Sequence, residues 1–176
     1  SDGLLIDKVM VERSGNKGFE YGSFNFIITN PPFGSTIKQT ESAYLHQYTL
    51  GNKDVSWLDL KNSASKERAN QSTEVLFIER CLNLLKPGGR MGIVLPEGVL
   101  NNTNLQKIRD YVESKAKILL ITSIPQDVFI ASGATVKPSL LFFKKFTEEE
   151  SKQWKDIAKK AQKSVEKSYE QELAKL

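Results

Sequence analysis

The sequence predicts an α/β fold: an open sheet, mostly parallel, whose last strand is antiparallel, followed by a long helix. Three observations carry this. Four short apolar runs, centred on residues 26–28, 91–95, 118–121 and 140–143, have the length and side chains of buried strands. Stretches with helical spacing of apolar residues separate the middle runs, the alternation that a parallel sheet requires. The last two runs are joined by a loop with no helical pattern, which makes them an antiparallel pair.

Composition bounds the problem. The 176 residues suffice for one domain with a substantial core. A net charge of +4 permits contact with a polyanion without demanding it. Cys81 is the only cysteine, which excludes an intrachain disulfide and points to a reducing, cytoplasmic setting. His46 is the only histidine, so a histidine-rich metal site is excluded and no metal is expected. No apolar run approaches membrane-spanning length, and the first residues do not read as a signal peptide.

Taken in order, the chain opens with an apolar patch, Leu4, Leu5 and Ile6, and a polar, glycine-bearing stretch over residues 12–18 that reads as a loop. The first strand then ends abruptly in Asn30-Pro31-Pro32-Phe33-Gly34. Residues 26–28 read as a strand buried on both faces. Pro31 stops the ladder for want of an N–H and forces Asn30 into an extended shape. Gly34 lets the chain turn away. The result is a stiff corner with outward-facing carbonyls. Such a corner suits an aromatic amino group, whose lone pair is drawn into its ring. The Asn30 side-chain oxygen and the Pro31 carbonyl can accept its two N–H bonds and favour a tetrahedral nitrogen. Phe33 can stack on the base. Positioning and fixed dipoles, not proton abstraction, would be the catalytic contribution.

Residues 35–71 are polar and lack periodicity. They read as a solvated loop with one short helix, or as a lid whose Lys61, Lys66 and Arg68 meet phosphates. Residues 73–86 give the clearest helix, with Val75, Ile78, Leu82 and Leu85 on one stripe and Glu74 in the first turn. Cys81 falls on its buried side and reads as core. Lys86-Pro87-Gly88-Gly89 ends the helix. Residues 91–95 form the next strand, broken by Pro96, Glu97 and Gly98 beside the proline corner. Glu97 either faces the substrate or caps the next turn. Asn101, Asn102 and Thr103 cap a helix marked by Leu105, Ile108 and Val112. Residues 117–124 and 136–146 are the last two strands. Residues 147–176 are one helical pattern, opened by a Thr147/Glu150 capping box and striped by Trp154, Ile157, Ala158, Ala161, Val165, Tyr169 and Leu173. The stripe serves either the helix's own domain or a partner subunit.

Asn30-Pro31-Pro32-Phe33 after an apolar strand resembles the catalytic motif of the N6-adenine DNA methyltransferases. Gly34 and Leu95-Pro96-Glu97-Gly98-Val99-Leu100 make the chain similar to the modification subunit of type I restriction-modification systems. Ala131-Ser132-Gly133-Ala134-Thr135 resembles the small-residue turn before the last strand of those subunits. The resemblance covers about residues 24–146. It implies the C-terminal half of a Rossmann-like class I methyltransferase sheet over residues 1–146 and a helical arm over 147–176. It implies S-adenosylmethionine as methyl donor, with Asn30 beside it and Asp2 as a candidate for the acidic residue that helps hold its adenine. It names Asn30, Pro31, Pro32 and Phe33 as the catalytic set. The implied substrate is double-stranded DNA with a flipped adenine, and the implied partners are a specificity subunit and a second modification subunit. No glycine-rich donor loop precedes the Asn30 strand, so the chain is expected to be a fragment that lacks most of the cofactor pocket and is inactive alone. Two alternatives stand beside this reading. One is methylation of a protein glutamine or an rRNA guanine, families that more often carry Tyr where Phe33 stands. The other is a non-catalytic assembly module of a restriction-modification complex.

Overall fold

The computed structural model describes residues 3–4, 7–16, 18–38, 45–51, 70–132 and 136–173. Asp2, Lys61, Lys66 and Arg68, and residues 133–135 of the small-residue turn, lie outside them.

The chain begins with helix α1 (Asp7–Ser14). The loop expected from Glu12 onward starts later, because the helix continues through Ser14. It is ended by Gly15, whose φ of 66° an L side chain rarely adopts. Strand β1 (Phe24–Thr29) leads into the proline corner. The polar stretch beyond carries regular structure in its described residues. Strand β2 (Thr36–Lys38) pairs antiparallel with β3 (Asn70–Ser72), and 3-10 turns occupy Leu45–Gln47 and Thr49–Gly51.

Helix α2 (Thr73–Leu84) follows without a break. Strand β4 (Leu85–Pro96) begins where the helix was expected to finish. Lys86-Pro87-Gly88-Gly89 therefore acts as a bulge at the start of a strand: the pairing jumps from Phe24↔Leu85 to Phe26↔Arg90. A short helix that was not expected, α3 (Glu97–Asn101), follows β4, and the helix expected after the caps at residues 101–103 forms as a 3-10 turn leading into α4 (Gln106–Glu113). The Asn102 side chain caps the 3-10 turn by accepting from the Asn104 amide at 2.9 Å. Strands β5 (Ala116–Ser123) and β6 (Pro138–Lys145) complete the main sheet, and helix α5 (Glu148–Leu173) closes the chain.

The sheet order is β1-β4-β6-β5. β1 and β4 are parallel, and β6 is antiparallel to both β4 and β5. Three strands thus share one direction and the last is inserted against them, as the sequence predicts. Helices α2 and α4 cover one face. Val75, Ile78 and Leu82 of α2, with Ile108 and Val112 of α4, pack on Met91, Ile93, Leu95, Leu141 and Phe143. Burial on this scale is the main stabilising term of the fold. Gly92 admits the Phe142 ring, because a Cβ there would sit 2.8 Å from it.

The two outer strands are not buried as expected: in β5, Ile118, Leu119, Leu120 and Ile121 are 38–53% exposed. β1 is not buried on both faces: Phe26 is 68% and Ile28 90% exposed. β1 lies at the sheet's edge, and among the described residues it pairs only with β4. Its apolar character is that of a central strand, its position that of an edge.

Candidate active site at the proline corner

The corner stands at the carboxyl end of β1, where Thr29 pairs with Ile93. Continuing that register by one residue brings Asn30 level with Val94. Asn30 and Pro32 are exposed, Phe33 is half-buried and Pro31 is buried. Gly34 takes φ 73° and redirects the chain, as its position after two prolines demands. Two bonds from α2 then hold the exit: the Thr73 amide donates to the Ser35 carbonyl at 3.0 Å, and the Thr73 hydroxyl donates to the same oxygen at 2.6 Å. The elbow is therefore anchored on both sides, by the sheet before it and by the first turn of α2 after it.

Phe33 meets Phe129 edge-on, with ring centroids 6.4 Å apart and planes at 67°. Phe129 belongs to the 3-10 segment Gln126–Ser132 between β5 and β6. Sequence reasoning placed Phe129 in a loop and gave it no role. An aromatic residue in the connection before an antiparallel strand that lies beside β4 was the available signal. Pro96 and Pro138 face each other across β4 and β6, so the end of β4 and the start of β6 share this edge with the corner.

The turn at Thr49–Gly51 is held to α2 by one carboxylate. Glu79 is buried and accepts from the Thr49 and Leu50 amides, each at 2.8 Å. Leu45, Tyr48, Leu4 and Leu76 form a small second core beneath it. Arg80 is buried, donates to the Tyr21 hydroxyl at 2.9 Å and lies over the Phe19 and Tyr21 rings. That arrangement fixes the approach to β1. Burial pushes the Cys81 thiol up to about 12, against a smaller opposing effect of the Arg80 charge. A thiol so raised stays protonated and is no nucleophile.

Among the described residues Asn30 stands exposed at the open flank of β1. Their positive-φ glycines, Gly15, Gly22, Gly34 and Gly88, lie in isolated turns. The cavities of about 230 and 410 Å³ lie elsewhere, the first between α4 and the sheet and the second at the foot of α5.

Comparison with known proteins agrees with this architecture. The chain is 28% identical over 134 residues to the type I restriction enzyme EcoKI methylase subunit of Escherichia coli, covering 76% of this chain and 21% of that protein. A solved modification subunit of a type I restriction enzyme from Vibrio vulnificus superposes with a TM-score of 0.55 at 20% identity, over 86% of this chain and 26% of that one. A class I S-adenosylmethionine-dependent methyltransferase from Listeria monocytogenes superposes with a TM-score of 0.53 at 17% identity, over 70% and 32%. The chain thus spans about a fifth of its Escherichia coli relative and a quarter to a third of the two solved chains. The fold is that of the class I methyltransferases. The model of the N-6 DNA methylases matches residues 4–175, and the chain belongs to that family.

Proposed function

We propose that this chain is the base-binding part of an adenine-N6 DNA methyltransferase and works within a type I modification subunit. The observation that carries the reading is the exposed Asn30 amide on a proline-pinned elbow, with Phe33 beside it and Phe129 edge-on to that ring. An adenine extruded from duplex DNA would lie on the Phe33 face. Phe129 limits the ring's rotation and so fixes the plane of the base. The Asn30 Oδ1 and the Pro31 carbonyl accept the two N–H bonds of the 6-amino group and concentrate its lone pair on nitrogen. S-adenosylmethionine supplies the methyl group when bound. Because the elbow is rigid, the acceptors are in place before the base arrives.

The catalytic unit in this reading is residues 1–146, and 147–176 is an arm. The exposure of Ile157, Val165 and Tyr169 along α5 favours a role for the arm in assembly with a specificity subunit or a second modification subunit. The open flank of β1 favours completion of the donor pocket by further polypeptide. Among the described residues no helix is long and apolar enough to cross a membrane, and the reading places the protein in the cytoplasm. The deciding experiment is labelled methyl transfer to DNA by the full-length protein, followed by identification of the modified base. N6-methyladenine is expected. A methylated protein amide or rRNA base instead would overturn the assignment.

A further inference from the structure

The carboxyl edge of the sheet carries a charged pair that base binding does not use. Glu97 opens α3 directly after β4, and Lys137 stands directly before β6. The Glu97 amide donates to the Lys137 carbonyl at 2.9 Å, and the Lys137 ammonium lies 3.2 Å from Glu97 Oε2. The backbone bond fixes where the lysine stem begins, and the carboxylate fixes which way it runs. The two side chains are 45% and 36% exposed. An ion pair open to water to that degree is weak, so a stronger anion can take the ammonium at small cost.

The position is informative. β1 and β6 flank β4, and Lys137, level with Glu97, lies three residues beyond the Val94 level of Asn30, so the two stand about 14 Å apart, two strand spacings across and three residues along. One nucleotide and an extended lysine together bridge such a gap. A nucleotide swung out of a duplex presents its neighbouring phosphate at the mouth of the pocket, and that phosphate must be held for the base to stay seated.

We propose that Lys137 grips the phosphate beside the extruded adenosine, and that Glu97 keeps the ammonium aimed until DNA displaces the carboxylate. The proposal rests on the base-binding reading above. Lys137 is then a substrate-positioning residue, and Glu97 is its intramolecular competitor. The two substitutions must therefore act in opposite directions on DNA, which a merely structural clasp would not do.

The test is binding of the full-length protein to a duplex carrying a mismatched adenine, measured over a range of salt concentrations. Lys137→Gln is expected to weaken binding several-fold at low salt and to reduce the slope of log affinity against log salt by about 0.9, one phosphate contact. Lys137→Arg restores that slope, and Glu97→Gln tightens binding. Thermal melting of each variant checks folding. An unchanged slope in Lys137→Gln, or weaker binding in Glu97→Gln with an unchanged melting point, overturns the proposal and leaves the base-binding reading standing. If the unsubstituted protein binds no DNA, both fall.

Discussion

In the proposed reading Asn30 is the residue on which the chemistry turns, and its exposure separates that role from folding. Asn30→Ala is expected to lower methyl transfer on the order of 10²–10³-fold, the usual cost of one preorganised polar group. The melting point should stay within a degree or two, because no buried contact is lost. Activity and calorimetry on the same preparation check both parts. Phe33→Ala removes a stacking surface worth about 1–3 kcal/mol per base, so binding to an unpaired adenine should weaken accordingly, while Phe33→Trp should retain it. Glu79 behaves in the opposite way. Glu79→Ala leaves two amides without their acceptor at about 1–3 kcal/mol each, and this should appear in urea melts. The corner was legible in the sequence because prolines dictate local geometry without help from distant residues. Phe129 and Glu79 were not, since each acts on a partner dozens of positions away.

The elements were legible where a local rule decided them and mistaken where tertiary pairing did. The capping box of α5 forms as read: the Thr147 amide donates to Glu150 Oε2 at 2.8 Å, and the Glu150 amide donates to Thr147 Oγ1 at 3.1 Å. Lys-Pro-Gly-Gly, by contrast, reads as a helix stop and forms a strand entry, because β1 recruits Leu85 into the ladder. The same Glu150 makes a pH test. The Thr147 amide holds its carboxyl below the usual carboxylate range, aided by the Lys144 ammonium at 2.9 Å. A carboxyl whose folded value is depressed adds stability that is complete above its unfolded value and disappears as pH falls through the folded one. Acid unfolding of Glu150→Gln should therefore lack that part of the pH dependence, as read from circular dichroism between neutral and strongly acidic buffers.

At the scale of the molecule, the direction and class of the sheet could be read from the order of apolar runs. Its margins could not, because an apolar strand looks the same in sequence at the centre of a sheet and at its edge. In the proposed reading the chain supplies Asn30 and its aromatic neighbours but only one wall of a donor site. The isolated chain is therefore expected to bind S-adenosylmethionine poorly or not at all by titration calorimetry. Micromolar binding would mean that the described wall suffices.

The bare flank of β1 bears on how this chain behaves in isolation. With Ile28 90% exposed and β4 its one ladder partner among the described residues, the strand is a ready template for the wrong ribbon. Lysine placed at position 28 should keep the lone chain dispersed at concentrations where the native sequence precipitates.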